Sequence, residues 1–334
     1  MTEADVGRVV WVRVVIVNYN GGLVLQRCLD HLAGQTLTDF EAVIVDNGSN
    51  DGSLDAIRVP DTRFRLVRAG QNLGFAAANN LGARDCRAPW LATLNPDAFA
   101  EPGWLEALRQ ATQRYPDVAM FGSTQIDAGD PQRLDGCGDI YSAFGMPWRG
   151  GYQYPLNALP PDGEPFAPCA AAALYRLCDF VAVGGFDEAF FCYLEDVDLG
   201  YRLRLLGCRC VQVAGARVHH LGSEISGPAS WFKLFHSYRN RVWLVFKNTP
   251  FPLVLVLLPL HLAASCYMLA RPRHIQDIGP CLGGIYAGLC GLPKRWASRV
   301  DSQRRRRISN FRVARALTWS IAKLQARSID LRPR

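Results

Sequence analysis

Val9 to Ser53 reads VVWVRVVIVNYNGGLVLQRCLDHLAGQTLTDFEAVIVDNGSNDGS, and the alternation inside it decides the fold class. Val9 to Val17 is almost entirely β-branched, the composition of a strand buried on both faces of a parallel sheet. The Asn20-Gly21-Gly22 turn follows, then helical spacing from Leu23 to Ala33. Phe40 to Val45 is a second strand, and Asp46 to Ser53 is dense turn chemistry leading to a short helix. Strand, helix, strand in this order is the repeating unit of an α/β domain.

The pattern continues outward. Strands are expected at Phe64 to Arg68, Trp90 to Leu94 and Val211 to Val218, and helices at Gly74 to Ala83, Trp104 to Gln113 and Val197 to Leu206. The expected sheet is mostly parallel and flanked by helices. Residues 125–170 are irregular, rich in Gly, Pro and aromatics, as binding loops are. The first strand lacks a following GxGxxG, which argues against a dinucleotide fold; GxxxxGK[ST] and GxSxG are missing as well.

Carboxylates stand at strand ends, where an open α/β sheet presents its ligand crevice. Asn18 and Asn20 follow the first strand and can bond a base or ribose. Asp46 follows the second; it can accept from a pyrimidine imide N–H, or cap its own turn. Asp97, at the tip of Asn95-Pro96-Asp97, offers a hard oxygen ligand to a divalent cation, or is a plain turn residue. Glu195, Asp196 and Asp198 open a helix, where its dipole alone favours acids. The adjoining Phe190-Phe191-Cys192-Tyr193-Leu194 desolvates the pair Glu195-Asp196, which raises a carboxylate pKa and suits a general base. His219 and His220 lie in tandem on a strand, so they face opposite sides and only one can join Asp97. His220 is the expected nitrogen ligand, giving a mixed site for Mn²⁺ or Mg²⁺.

Several segments, in this order, carry a family resemblance: VVIVNYNGG, AVIVDNGSNDGS, NLGFAAANN, LNPDA, GGFDEAFFCYLEDVDLGYRLRLLG and VHHLGSE. Over residues 9–245 the chain resembles a family-2 glycosyltransferase of the GT-A fold. The resemblance implies a nucleotide-sugar site built from Val17, Asn18, Asn20, Asp46, Ser49, Asn72, Gly74, Phe75, Asn79 and Asn95. It implies metal ligation by Asp97 and His220, and catalysis by Asp196 with Glu195 beside it. In the metal motif Asn95 stands where the family has a first acid. It further implies inversion at the anomeric carbon by single displacement, without a covalent intermediate. SYRNRVWLVFKNTP, Ser237 to Pro250, is similar to bacterial rhamnosyltransferases that act on lipid-linked intermediates of cell-wall or O-antigen polysaccharide. The expected donor is therefore a dTDP- or UDP-sugar, and the expected acceptor a polyprenyl-linked glycan. A pyrophosphorylase would need a basic Gly-rich loop after the first strand, and Asn18 to Leu25 has no basic residue. The alternative is a degenerate, non-catalytic nucleotide-binding domain that tethers partners to a membrane.

Charge divides the 334-residue chain. Its net charge is +7, but residues 294–334 hold thirteen Lys/Arg against two acids, so the rest is mildly acidic. The eleven cysteines lack paired CxxC spacing and are expected to be reduced core thiols. The N-terminus lacks the pattern of a signal peptide. From Asn248 to Ala270 no residue is charged, and a second uncharged stretch runs from Ile278 to Pro293. A single crossing would place the basic tail outside the cell, against the positive-inside tendency. The expectation is a membrane-associating appendage, residues 246–334, folded as a re-entrant or interfacial hairpin. Ile308 to Ile329 is expected as one amphipathic helix in the headgroup layer. Arg304 to Arg307 are expected to meet anionic membrane lipids or the pyrophosphate of the acceptor, with a solvated tail or nucleic-acid contact as the alternatives; no nucleic-acid partner is expected. The location implied is the cytoplasmic face of a bacterial inner membrane. Tyr141, Trp148 and Tyr152 are candidates to stack on a sugar ring, or else loop packing.

Overall fold

Each β-branched run in the first hundred residues forms a strand, because only the interior of a sheet can bury it on both faces. The computed structural model describes residues 10–222, 230–270 and 275–333. Val9, the expected start of the first strand, lies outside the described residues, as do Ser223 and Glu224 of the VHHLGSE segment. The chain runs β1 (Val12–Asn18), α1 (Gly22–Ala33), β2 (Phe40–Asp46), α2 (Ser53–Ala56), β3 (Phe64–Arg68), α3 (Phe75–Ala83), β4 (Trp90–Leu94), β5 (Ala98–Ala100) and α4 (Trp104–Arg114). It continues through β6 (Met120–Asp127), β7 (Leu134–Gly136), β8 (Asp139–Tyr141), β9 (Pro147–Arg149), β10 (Ala172–Arg176), α5 (Leu177–Ala182), α6 (Glu195–Leu206) and β11 (Cys210–His220). Helices α7 (Trp231–Asn248), α8 (Leu253–Leu269), α9 (Ile278–Arg304), α10 (Asn310–Ala316) and α11 (Ile321–Gln325) complete it.

The main sheet has the order β3-β2-β1-β4-β10-β6-β11-β5, with β7 paired to β6. The β3-β2-β1-β4 half is parallel. Beyond it the sheet is mixed, which corrects the expectation of a mostly parallel one. β10 enters antiparallel between β4 and β6, β5 lies antiparallel to β11, and β7 lies antiparallel to β6. Only β6 and β11 are parallel there. Two apolar clusters sandwich the sheet. One packs α1 and α4 under Val14, Ile16 and Ile44; the other packs α3, α5 and α6 over Val15, Val43 and Tyr175. The small residues of α3 have a steric cause: a Cβ on Gly82 would lie 2.4 Å from Val15 Cγ1.

The C-terminal helices form a third layer on the catalytic body. α9 presents glycine to α7: a Cβ on Gly284 would lie 2.4 Å from the Phe235 carbonyl oxygen, and one on Gly288 2.9 Å from Val242 Cβ. Much of the second uncharged stretch is therefore a helix-packing face. Among the described residues no helix is long and apolar enough to cross a membrane. The single helix expected from Ile308 to Ile329 is broken into α10 and α11. Ser309 and Ser320 cap the two pieces, and between them Thr318 N–H donates to the Tyr141 carbonyl at 3.0 Å. Tertiary hydrogen bonding overrides the amphipathic periodicity. The tail is tied down again where the Trp148 indole donates to the Ser328 carbonyl and Glu164 pairs its backbone with Arg332.

Candidate active site

The parallel half of the sheet delivers its polar residues to one edge, as strand ends in such sheets do. Asn18 Nδ2 donates to Ser49 Oγ at 3.0 Å and to Ser53 Oγ at 3.2 Å, while its Oδ1 is buried without a partner. The Asn20 N–H also donates to Ser49 Oγ, and the Ser49 N–H to Asp46 Oδ1. Asn72 Oδ1 accepts from Asn47 Nδ2 and from the Gly74 N–H, each at 2.9 Å. These groups form one polar floor. The Val17 side chain lies in the apolar core beneath it. Asn79 is buried and donates to the Phe75 carbonyl, one turn back in its own helix.

Gly74 brings that floor against the acid pair. Its φ is +82°, and a Cβ there would lie 2.6 Å from the Phe191 carbonyl oxygen. Phe75, Asn95, Trp148, Arg149, Glu195 and Asp196 then line a cleft of about 310 Å³. Of the three aromatic candidates only Trp148 faces it. Tyr141 is packed against Phe166 and Tyr201 in the core, and Tyr152 lies on the surface under Arg327.

Asp196 sits at the first turn of α6, where Oδ2 accepts from the Ala170 N–H (3.2 Å) and Oδ1 from the Val197 N–H (2.8 Å). Asp139 of β8 joins it, with carboxylate oxygens within 4.8 Å. Burial, then the charge of Asp196, lifts Asp139 well above the carboxylate range; burial raises Asp196 less, because the backbone N–H groups favour its charge. The two carboxyls titrate as a pair, and the two backbone N–H groups favour placing its charge on Asp196. Burial, and next to it the Asp196 charge, pushes Glu195 well up, and its Oε2 is buried without a partner. Cys169 also lies within 4.8 Å of both aspartates, and burial pushes its thiol well up.

The loop before α6 is strained. Phe191, Tyr193 and Leu194 all have positive φ, between 65° and 70°. Asn240 of α7, fully buried, holds it by donating to the carbonyls of Phe190 (3.0 Å), Cys192 (3.0 Å) and Tyr193 (2.7 Å). Asp198 is a structural anchor: it meets Arg202 Nε at 2.8 Å, Lys247 Nζ at 2.8 Å and Asn248 Nδ2 at 2.7 Å.

His219 and His220 face opposite sides of β11. His219 reaches Glu101, and His220 is buried between two carboxylates. Its Nδ1 lies 2.6 Å from Asp135 Oδ2, and its Nε2 lies 3.3 Å from Asp97 Oδ1. Burial pulls the imidazolium down, but Asp135 and Asp97 outweigh it and lift its pKa to about 9. A divalent cation suits this set. Adjacent oxygen and nitrogen ligands on one six-coordinate ion with bonds near ~2.1 Å stand about 3 Å apart, close to the Asp97–His220 spacing. Asn95, whose Nδ2 is 3.4 Å from His220 Nε2, has a buried Oδ1 with no partner beside them. Asp135 supplies the outer carboxylate that orients a ligating histidine.

Sequence reasoning missed Asp135, Asp139, Arg149 and Asn240. The first three lie in the irregular stretch, where no periodicity marks them. Asn240 lies in the SYRNR segment quoted above, whose Arg239-Asn240 pair clamps the loop before α6.

The fold and the comparisons define a glycosyltransferase of GT-A architecture. Solved structures of that class superpose on 89% of this chain. GalNAc-T7 with UDP, GalNAc and Mn²⁺ does so over 58% of its own length at TM-score 0.63 and 15% identity. The mannosyltransferase PcManGT from Pyrobaculum calidifontis with GDP-Man and Mn²⁺ does so over 86% of its length at TM-score 0.53 and 16% identity. The family model for Glycosyl transferase family 2 matches residues 13–176. The N-acetylglucosaminyl-diphospho-decaprenol L-rhamnosyltransferase of Mycobacterium tuberculosis is 34% identical over 255 residues, covering 67% of this chain and 80% of that one. The validoxylamine A glucosyltransferase of Streptomyces hygroscopicus subsp. jinggangensis is 29% identical over 238 residues, covering 58% and 51%. The chain belongs to glycosyl transferase family 2 and is rhamnosyltransferase-like.

Proposed function

We propose that the chain transfers a hexose, rhamnose foremost, from a dTDP- or UDP-sugar to a hydroxyl of a polyprenyl-diphosphate-linked glycan, with inversion at the anomeric carbon. The observation that carries this is the Asp139–Asp196 pair at the cleft, Asp139 buried and Asp196 half-buried, with the Asp196 carboxylate oriented by two N–H groups. Asp196 accepts the proton of the attacking hydroxyl, and its raised pKa strengthens it as a base. Asp139, whose carboxyl burial and the Asp196 charge push upward, stands beside the Asp196 carboxylate and disfavours a second charge at the site. Asn18, Asn20, Asp46, Ser49 and Asn72 form the floor for the nucleoside, and Phe75 and Trp148 offer apolar faces to the sugars. Asp97 and His220 would hold Mn²⁺ or Mg²⁺, which when bound neutralises charge on the leaving diphosphate.

Membrane attachment belongs to the same proposal: the enzyme works at the cytoplasmic face of a bacterial inner membrane, in cell-wall or O-antigen polysaccharide assembly. Phe251, Leu255, Val256 and Tyr267 on the α8 side, and Leu282, Tyr286 and Leu289 on α9, are exposed apolar groups that support it. Arg304 to Arg307 add charge for anionic lipids.

The test is nucleotide release from dTDP- and UDP-sugars, dTDP-rhamnose included, with Mn²⁺ or Mg²⁺ and a bacterial lipid extract. Lipid-dependent release from one donor is expected. Asp196→Asn should lower it by about 10²–10⁴-fold while nucleotide binding persists. Undiminished transfer by Asp196→Asn overturns the base assignment, and lipid-independent transfer overturns the acceptor class.

A further inference from the structure

Beside the catalytic cleft lies a larger cavity of about 670 Å³, walled by the 144–149 segment, α8 and α11. Pro147, Trp148 and Arg149 line both, so the two adjoin along this segment. One end holds the carboxylates. The other is apolar, lined by Met146, Leu260, Ala264, Met268, Ile321 and Leu324. One arginine stands on the shared wall and another along the groove. Arg149 pairs with Asp135 and faces both cavities. Arg241 lines the groove with its Nε buried and unpartnered, and among the described residues no ion pair engages its guanidinium, which lies over the Tyr238 ring. A diphosphate between a sugar and a hydrocarbon chain has this sequence of polar, anionic and apolar parts.

We propose that this groove holds the isoprenoid chain of a prenyl-diphosphate acceptor, with the diphosphate against Arg149 and Arg241 and the sugar directed at Asp196. The inference rests on the lipid-linked acceptor proposed above. A diacyl phospholipid has no sugar hydroxyl to reach Asp196, so a groove that adjoins the cleft favours the prenyl diphosphate.

The test measures binding of farnesyl diphosphate and isopentenyl diphosphate to the full-length protein by calorimetry. The two share a head and differ in tail. Wild type should bind the farnesyl compound at least about 10-fold more tightly. Ala264→Trp, which fills the groove, and Ile321→Asp, an exposed change that spares the core, should each abolish that difference while leaving dTDP and UDP binding intact. Arg241→Gln should weaken both diphosphates. Equal binding of the two by wild type overturns the proposal, as does undiminished farnesyl preference in both groove variants. Displacement of farnesyl diphosphate by phosphatidylglycerol bicelles at equal lipid concentration would assign the groove to membrane lipid and overturn it too. Tail-dependent binding without transfer from any donor leaves the groove standing and sinks the acceptor reading. Transfer that ignores tail length sinks the groove alone.

Discussion

Glu195 shows how a single residue exchanges stability for chemistry. Its carboxyl is buried, one oxygen has no partner, and Asp196 stands beside it. Folding therefore raises its pKa, so the native state binds more protons than the unfolded chain from about pH 4.3 upward. Its contribution to stability is complete below that value and is lost as pH rises through the raised folded pKa. Glu195→Gln removes the ionisable group. The variant should melt above wild type near neutral pH, and the gain should shrink as pH falls toward about 4. Thermal melts across pH test this; a variant that melts no higher than wild type at neutral pH refutes it. At this scale the sequence was informative where a residue sat at a strand end, as for Asp97 and His220. It was silent on Asp135 and Asp139, because their places come from a β-hairpin inside an aperiodic stretch.

Elements, rather than residues, hold the acid pair in place. The 191–194 loop keeps three non-glycine residues in the left-handed region, each costing about 1–3 kcal/mol, and Asn240 opposes that cost through three carbonyls. Asn240→Ala should lower stability by about 1–3 kcal/mol and kcat by about 10-fold or more as the loop relaxes, with nucleotide affinity nearly unchanged; unaltered kcat would show that the clamp is not needed. Lys247, also on α7, ties α6 through Asp198 and the preceding turn through Asp187, at 2.8 and 2.6 Å. Lys247→Met leaves Asp187 and Asp198 short of a buried partner and should cost about 3–5 kcal/mol in urea unfolding; adding Asp187→Asn should recover part of it, and a loss under about 1 kcal/mol would mean that the network relaxes. The strands β1, β2 and β4 were legible because burial on both faces leaves an apolar run. β10 was not, since Ala172–Arg176 follows an alanine run without period, and nothing local tells an antiparallel insertion from a loop.

At the scale of the molecule, the C-terminal layer is part of the catalytic body. α9 packs on α7 through Gly284 and Gly288, and the tail is stitched to the body at Tyr141, Trp148 and Glu164. The compositional break near residue 246 was visible in sequence; the stitching was not, because a bond such as Thr318 to Tyr141 joins residues far apart in the chain. Truncation at 249 would bare the core around Tyr141 and Tyr201, so it reports on folding and not on membrane binding. Point changes on the outer face are the cleaner probe. Leu255 and Val256 belong to α8, and Leu282, Tyr286 and Leu289 share one face of α9 at i, i+4 and i+7, away from its glycines. Each apolar side chain fully buried in the interface contributes about 1.5–3 kcal/mol, and each arginine near an anionic surface about 1 kcal/mol. Wild type should therefore sediment with membranes at low salt. Replacing Leu255, Val256, Leu282 and Tyr286 with serine should shift it to the soluble fraction while its thermal melt stays close to wild type, since these side chains are exposed. Replacing Arg304 to Arg307 with glutamine should instead remove the salt dependence of binding to vesicles rich in phosphatidylglycerol. A wild-type protein found wholly in the soluble fraction at low salt would end the membrane reading, and would leave the groove to bind its lipid from solution.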